Sequence, residues 1–440
     1  MINNYYCCPN NHHNCHHCCI NGGGCHCMKS CNEELRYKLN YIKHDYNLHS
    51  ICTFTHNGIE YIVVTGNNGI INYSIDKMKT WTKITNLADG TDITGSITCC
   101  IYNSNDNIIA AVATNGYIYY CEMNKDIIKW YRTDSWKAPA GITADSKDKG
   151  LYSIIYDKTK KRYVIVGQNV IITTSTLVYD STKGHIQKLT DPYNEKLVQR
   201  FVYHCTDTGY YISAGHDGSI WYAKDSDATA KIEWTNITAS INGTSIYIQG
   251  LCYDPNTKNY VFVGNDGVIF YTNSLEKNTQ WKQSITGFER PKDASVRYAL
   301  QSIIYDPINH LLVATGYQGL ILITTDLTKG WTSFFGLTST HASNKYFQFA
   351  MYSDQYGVML AGNEYIAYGT ELYPVIVPEV NTMIKKMFPI GYVMLTVQPE
   401  NPYNRFGFGD WNIMKTIETV NTSTDPNAPK EYIYAYERMK

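Results

Sequence analysis

One sequence unit recurs along most of this chain and constrains its fold more than any other feature. The clearest copy covers residues 251–255, 260–267 and 268–271: an apolar strand ending in an aromatic residue, a second strand closed by glycine, and a third strand. The aromatic residue and the glycine are usually eleven residues apart, and successive copies start about fifty residues apart. That repeat length is typical of a four-stranded propeller blade.

Seven copies can be aligned on this aromatic and glycine pair. The pairs are Phe54 with Gly66, Tyr102 with Gly116, Tyr156 with Gly167, His204 with Gly215, Tyr253 with Gly264, Tyr305 with Gly316 and Tyr352 with Gly362. The glycine often begins a tight turn of residues that tolerate positive φ, as at residues 264–267. The sequence therefore predicts an all-β fold, a seven-bladed β-propeller over residues 50–373. Since the last copy shows only three strands, residues 41–50 are expected to supply the closing strand and cover an open edge.

Tryptophans mark the predicted fourth strand of most copies. Their regular positions are Trp81, Trp130, Trp234, Trp281 and Trp331. Regular placement favours packing between strands over stacking on a ligand. Trp136 and Trp221 fall outside this pattern, so they are the candidate ligand-binding residues; packing is the alternative for both.

The loop before Trp81 carries a short motif, Ser74-x-Asp76-x-Met78-x-Thr80-Trp81. It resembles the Asp-box of sialidase-like (BNR) propellers, Ser-x-Asp-x-Gly-x-Thr-Trp, with Met78 at the usual glycine. Residues 324–326 before Trp331 form a weaker copy. In that family the Asp-box is a structural turn remote from the catalytic face, so the resemblance supports a propeller fold and gives no information on activity.

Residues 1–31 form a Cys/His-rich cap, too short and polar to build a core. Its candidate metal ligands are Cys7, Cys8, Cys15, Cys18, Cys19, Cys25, Cys27, Cys31, His12, His13, His16, His17 and His26. Spacings such as Cys15-x-x-Cys18 suit a tetrahedral zinc site, or iron, which would replace the missing core. Disulfides in an extracellular particle and an unstructured tail are the alternatives. Elemental analysis for zinc and iron tests the metal hypothesis.

Two linkers flank the predicted propeller. Residues 32–49 place Leu35, Leu39, Ile42 and Tyr46 at helical spacing, which predicts a short amphipathic helix that acts as a stalk or packs on the next domain. Residues 374–387 combine prolines with a short helical pattern of Val380, Met383, Ile384 and Met387.

The C-terminal segment, residues 388–440, carries the most specific motif. Residues 388–397, then Asn401-Pro402, then residues 406–411 follow the order Phe-Pro-x-Gly, Asn-Pro and Phe-Gly-x-Gly-x-Trp. The segment resembles the C-terminal module of bacteriophage tail-fibre and receptor-binding proteins. This chain has Phe388 where that module has Tyr, Tyr392 where it has Ser, and residues 408–410 in place of its Gly-Thr. The resemblance implies a small β module, which could equally be a folding or trimerisation cap.

Charge and hydropathy limit the partners. Lys and Arg number 38 against 39 Asp and Glu, so nothing in the net charge indicates a nucleic-acid partner. We expect no membrane span and no secretion signal, because no window of eighteen uninterrupted apolar residues occurs and the first thirty residues have no basic and apolar signal pattern.

The resemblance implies a virion protein of a phage tail, assembled in the host cytoplasm: a tail fibre, tail-tip or receptor-binding component. Expected partners are other tail proteins and host-surface carbohydrate, and a homotrimer is common in that family. The first alternative is a structural hub that only docks other tail proteins, since propellers are general interaction platforms.

A second alternative is a sialidase-like glycoside hydrolase, although we expect no enzyme. Such a site needs three arginines around a carboxylate, a Tyr nucleophile and acidic residues. The eight arginines are Arg36, Arg132, Arg162, Arg200, Arg290, Arg297, Arg405 and Arg438, and none lies in a recognisable family motif. Arg162 and Arg200 come near predicted strands, where a surface role is favoured.

Overall fold

The structure is a computed structural model that describes residues 33–124, 127–140, 150–189, 197–225, 232–237, 247–276, 281–286, 299–335, 346–376, 393–396, 411–418 and 432–438. Contacts divide the chain into two compact units. One is Leu35–Tyr373, and the other combines Met1–Glu34 with Pro374–Lys440.

The described residues are almost entirely β-structure. In chain order the strands up to the end of the larger unit are β1 (Glu33–Tyr37), β2 (Asn40–His56), β3 (Ile59–Gly66), β4 (Ile71–Ser74), β5 (Thr82–Lys83), β6 (Ile97–Asn103), β7 (Ile108–Ala113), β8 (Ile118–Asn124), β9 (Ile127–Thr133), β10 (Leu151–Asp157), β11 (Arg162–Gly167), β12 (Val170–Thr174), β13 (Gly184–Lys188), β14 (Gln199–Cys205), β15 (Tyr210–Gly215), β16 (Ile220–Lys224), β17 (Thr235–Asn236), β18 (Ile248–Asp254), β19 (Asn259–Gly264), β20 (Ile269–Thr272), β21 (Lys282–Ser284), β22 (Leu300–Asp306), β23 (Leu311–Gly316), β24 (Leu320–Thr324), β25 (Thr332–Phe335), β26 (Phe347–Ser353), β27 (Gly357–Gly369) and β28 (Leu372–Ile376). One short helix, α1 (Lys137–Ala140), follows β9.

Six antiparallel sheets build the propeller. Five have four strands in chain order: β6 to β9, β10 to β13, β14 to β17, β18 to β21 and β22 to β25. The sixth has six strands, in the order β26-β27-β2-β3-β4-β5. At the two ends of the unit, β1 pairs with β28.

Counted by hydrogen-bonded sheets, the described residues form six blades, and the prediction of a seven-bladed propeller is wrong. The reason is β2, which is 17 residues long. Its first part pairs with β27, as Asn40 with Tyr368 and Ile42 with Ile366, and its second part, from Leu48, pairs with β3. The first and last repeats therefore share one sheet, where the sequence count assigned two separate blades.

The same pairing confirms that residues before the first repeat cover the edge of the last one. It also shows that the predicted amphipathic helix over residues 32–48 is wrong, because residues 33–37 form β1 and residues 40–48 belong to β2. The spacing of Leu35, Leu39, Ile42 and Tyr46 suits a helix locally, but pairing with β27 satisfies the backbone groups of both strands, and this tertiary contact decides the conformation.

Apolar side chains fill the spaces between neighbouring sheets. One core combines Val112 and Ile118 of the second repeat with Ile165 and Ile172 of the third, and all four are fully buried. The five regular tryptophans lie in or against such cores, as their spacing predicts. Tyrosine hydroxyls add polar links: Tyr260 donates to Thr208 Oγ1 at 2.8 Å, one sheet away.

The glycine that closes the second strand has a steric cause. A Cβ atom added at Gly215 would lie 1.8 Å from the carbonyl oxygen of Val198, the residue before β14. The same approach, at 1.9 to 2.3 Å from the backbone oxygen of the residue that precedes the pairing partner of the glycine, occurs at Gly66, Gly167, Gly316 and Gly362. Since φ at Gly215 is −170°, close backbone approach, and not a positive φ, requires glycine here.

The segment with the Asp-box resemblance forms a turn between β4 and β5. Asp76 accepts hydrogen bonds from the backbone N–H of Thr80 at 2.9 Å and from its hydroxyl at 2.6 Å, and these bonds lower the pKa of Asp76 to about 2. Ser74 Oγ accepts the N–H of Met78 at 2.9 Å. Met78 adopts φ 66° at the position where the family has glycine, and its side chain is buried.

The smaller unit contains an antiparallel sheet of β29 (Val393–Thr396), β31 (Tyr432–Arg438) and β30 (Trp411–Glu418), with β31 in the centre. Met394 is opposite Tyr436, and Asn412 is opposite Glu437. The helical pattern predicted within residues 374–387, the Phe388 to Tyr392 motif and the Asn401-Pro402 dipeptide lie outside the described residues. Among the described residues no helix has the length and apolar character needed to cross a membrane.

Candidate functional site

Every repeat has an irregularity at the same point of its first strand. The register shifts by one residue between Leu48 and Ser50 in β2, and at the equivalent point in β6, β10, β14, β18, β22 and β26. The residues passed over are His49, Thr98, Tyr152, Arg200, Gln249, Gln301 and Gln348. All seven line one central cavity of about 310 Å³.

A β-bulge of this kind leaves one residue unpaired and re-aims its side chain. The bulge in β14 lies directly opposite Gly215, which pairs with Gln199, and the lack of a Cβ there lets the two backbones approach. In this repeat the glycine accommodates the bulge, and the bulge supplies a side chain to the cavity. The equivalent bulge in β6 lies opposite Ala113, so glycine is not required in every repeat.

Arg200 is the only Arg or Lys among the described residues that line the cavity, and no Asp or Glu occurs among them. Its guanidinium lies over the ring of Tyr152, at 4.6 Å from the centroid, and its Nε donates to Nε2 of His216 at 3.2 Å. Burial lowers the pKa of Arg200, but an arginine stays protonated at physiological pH. Its described neighbours hold the cation in place without neutralising it.

The two histidines beside Arg200 are neutral at pH 7. Burial, with a smaller contribution from the charge of Arg200, lowers the pKa of His216 to about 4. Burial likewise lowers the pKa of His49 to about 4, despite a hydrogen bond to Asn67. Arg200 therefore supplies the positive charge of the described cavity lining.

Tyrosines surround this cation. Tyr317 and Tyr346 line the cavity with their rings edge to face at 5.3 Å, and Tyr317 is 38% exposed. Tyr247 packs edge to face on His216 at 4.5 Å and is 41% exposed. Aromatic rings that are partly open to solvent and have a polar end suit a binding surface.

Amide groups complete the lining. Gln249 Nε2 donates to Asn265 Oδ1 at 3.4 Å. Two further polar atoms, Gln348 Oε1 and His49 Nδ1, are buried and have no hydrogen-bond partner among the described residues. Buried polar atoms are rarely left without a partner, so such a pair in a cavity indicates room for a bound group or water.

The candidate ligand-binding tryptophans are not part of this cavity. Trp136 is 1% exposed and donates through Nε1 to the carbonyl of Leu177 at 2.8 Å. Trp221 is buried and donates to Ser219 Oγ at 3.1 Å. Neither indole face is open to a sugar, and both side chains pack in cores between sheets.

The structure also corrects the surface role favoured for Arg162 and Arg200. Arg162 is 6% exposed and acts on the pKa of Tyr211, in another part of the propeller. Arg132 lies over Tyr117 at 5.0 Å. Thus the three arginines whose side chains are described do not converge on one point. The thirteen Cys and His residues proposed as metal ligands lie outside the described residues.

Asp157, His204 and Asp225 form a cluster that the sequence did not indicate. One ligand atom of each lies within 4.8 Å of the others. His204 Nε2 is 3.0 Å from Asp225 Oδ2, Asp157 Oδ2 accepts from Tyr211, and Asp157 Oδ1 accepts the N–H of Thr159 at 2.8 Å. The bond from Tyr211 to Asp157 joins the fourth repeat to the third, and the other two contacts hold the cluster within each repeat, which explains the cluster as a structural joint.

The lowered histidine pKa values predict acid sensitivity. His49 and His216 take up protons near pH 6.5 in the unfolded chain but only near pH 4 in the folded chain. The free energy of unfolding should therefore fall as the pH drops from 6.5 to 4. For His216 we expect about 1 kcal/mol after solvent screening. Thermal unfolding at several pH values should show a smaller acid-induced decrease in Tm for His216→Gln than for the wild-type protein. Parallel curves for the two proteins would contradict this.

Comparisons with known proteins identify the fold only. No protein-family model matches the chain, and no curated protein matches its sequence. Among solved structures, the chain is similar to "YCF48 bound to D1 peptide", with a TM-score of 0.53 and 12% sequence identity, over 76% of this chain and 97% of that chain. The β-propeller fold is therefore shared with that structure.

Proposed function

We propose that this protein is a non-catalytic attachment protein of a bacteriophage tail, and that its propeller binds a host-surface glycan in the central cavity. The observation that carries the binding site is the ring of seven bulge residues around one polar cavity. Amide groups can exchange hydrogen bonds with sugar hydroxyls, and the partly exposed ring of Tyr317 can stack on a sugar face.

The viral setting rests on the C-terminal motif resemblance alone. In this setting the Cys/His-rich cap would hold zinc or iron, the chain would form a homotrimer, and other tail proteins would be its partners. Propellers also bind ligands of other kinds, as the structure described as YCF48 with a D1 peptide illustrates for that protein.

Binding is favoured over hydrolysis by the composition of the cavity. Glycoside hydrolysis requires carboxylates at the scissile bond, or in sialidases a Tyr nucleophile with acidic partners. The described lining contains tyrosines but no Asp or Glu, and it contains one arginine where a sialidase would need three. These features support a binding protein.

Glycan arrays and binding to host cells test the proposal. We expect Tyr317→Ala to weaken glycan binding by about tenfold, because it removes the exposed ring beside Tyr346. Tyr131→Ala is the matched control: Tyr131 is 36% exposed and lies on β9, the outermost strand of its sheet, so binding should not change. Equal binding by both variants would place the ligand elsewhere.

The hub is the second candidate. A protein that binds purified tail components, but neither host cells nor any glycan on the array, would be a hub and not an adhesin. Release of free sugar from the array would instead support the hydrolase.

A further inference from the structure

We infer that Arg200 makes the central cavity selective for glycans that end in a sugar bearing a carboxylate. The inference rests on the proposed function, because it names the ligand class of the same cavity. In six repeats the residue at the bulge position carries no charge at pH 7, and only in β14 is this residue a cation. This single departure from the repeat needs a reason.

Packing alone does not supply that reason. Moving a cation out of water is costly unless an anion or several hydrogen bonds compensate it. Among the described residues, Arg200 has an aromatic ring at 4.6 Å, a neutral imidazole at 3.2 Å, and no carboxylate on the cavity wall. By contrast, His204 elsewhere in the propeller faces Asp157 and Asp225. The compensating anion for Arg200 is thus expected to come from a ligand.

The geometry of the guanidinium favours a carboxylate. Nε is engaged by His216, and Tyr152 covers a face of the planar group, so the orientation of the guanidinium is fixed by two contacts. The terminal nitrogens of an arginine form a planar fork that pairs bidentately with carboxylates. A neutral His216 is required for its bond from Arg200, and its low pKa meets that requirement at pH 7.

The remaining wall favours a sugar over a simple anion or an acidic peptide. Gln348 Oε1 can only accept a hydrogen bond, and sugar hydroxyls can donate one. Gln249 and Gln301 supply amide donors and acceptors, and Tyr317 supplies a ring edge or face. With a volume of about 310 Å³, the cavity lies at the small end of ligand sites, which suits one terminal sugar residue.

Calorimetry with a matched ligand pair tests this inference. The probes are an oligosaccharide ending in glucuronate and the same oligosaccharide with that carboxyl reduced to an alcohol, at pH 7 and low salt. We expect the wild-type protein to bind the acid about 10- to 100-fold more tightly, as for a hydrogen-bonded charge pair. Arg200→Gln should bind both probes with the weaker affinity, and Arg200→Lys should keep part of the preference, because lysine lacks the fork.

Arg132→Gln is the matched control, because Arg132 lies over Tyr117 on another part of the propeller. This variant should prefer the acidic sugar as strongly as the wild-type protein does. Arg200→Gln should melt no lower than the wild-type protein, since it removes an uncompensated charge. If the wild-type protein binds both sugars equally, the inference is overturned while glycan binding stands. Absence of binding to any glycan would instead refute the proposed function. The assignment of a sugar ligand would also be overturned if the wild-type protein bound an acidic peptide tightly instead of the sugar and Arg200→Gln lost that binding.

Discussion

A chain that lacks residues 1–47 is expected to lose at least about 5 kcal/mol of stability or to fail to fold. The deletion removes β1 and the first part of β2, which pairs with β27 from Asn40 to Lys43. Without it, the backbone of residues 365–368 becomes an open edge, and the fully buried Ile366 and Ala367 lose their cover.

A chain that lacks only residues 1–32 is the control for this deletion. It keeps β1 and β2 and should unfold with the same denaturant midpoint as the full chain. Ile366→Ala offers a smaller version of the same effect, about 2 to 5 kcal/mol. If the 1–47 deletion unfolds like the full chain, closure by β2 contributes little to stability.

Gly215→Ala is expected to cost about 3 kcal/mol or more, although it adds a single methyl group. The new Cβ would lie 1.8 Å from the Val198 oxygen and 2.7 Å from its carbonyl carbon, and both atoms belong to the backbone. Neither can rotate away, so β14 and β15 must separate. Because Arg200 follows Gln199, the partner of Gly215, the shift should also disturb the cavity.

Gly58→Ala separates this steric effect from the cost of backbone conformation. Gly58 has φ 76° with no atom within 4 Å of an added Cβ, so we expect a loss of about 1 kcal/mol from the left-handed conformation alone. Urea unfolding of both variants gives the comparison. A similar loss for both would show that the strand pair yields easily at Gly215.

The repeat can be recognised from the sequence because the same kinds of residues recur at nearly the same spacing in each copy. Apolar runs that end in an aromatic residue, the recurring glycine and the regularly placed tryptophans are short-range signals, and they predict an all-β repeat. The helical spacing from Leu35 to Tyr46 is equally local, and it failed because strands from the far end of the chain pair with β1 and β2. The sequence contains seven repeats, but no local pattern indicates that the first and the last of them join in one sheet.

The candidate site was less predictable than the fold. The sequence shows Arg200 only as an arginine near a predicted strand, whereas Trp136 and Trp221 break the regular tryptophan pattern and are therefore the sequence candidates. A bulge has no distinct sequence signature, since it depends on how two strands pair. One local signal exists: in six repeats the bulged residue is the second residue of the first strand, and it differs from repeat to repeat and is mostly polar, as at Gln249 and Gln348.

The sequence by itself determined the all-β class, the repeat and the glycine opposite the start of the first strand in six of the seven copies, because these follow from local propensity and from a steric demand that most copies share. Only the tertiary structure decided that β2 merges the first and last repeats, and that seven bulge residues, about fifty positions apart, meet around one cavity. The physical reason is that both results depend on contacts between residues far apart in the chain. A local sequence pattern does not show which distant strands pair, or that Arg200 lies among tyrosines and amide side chains.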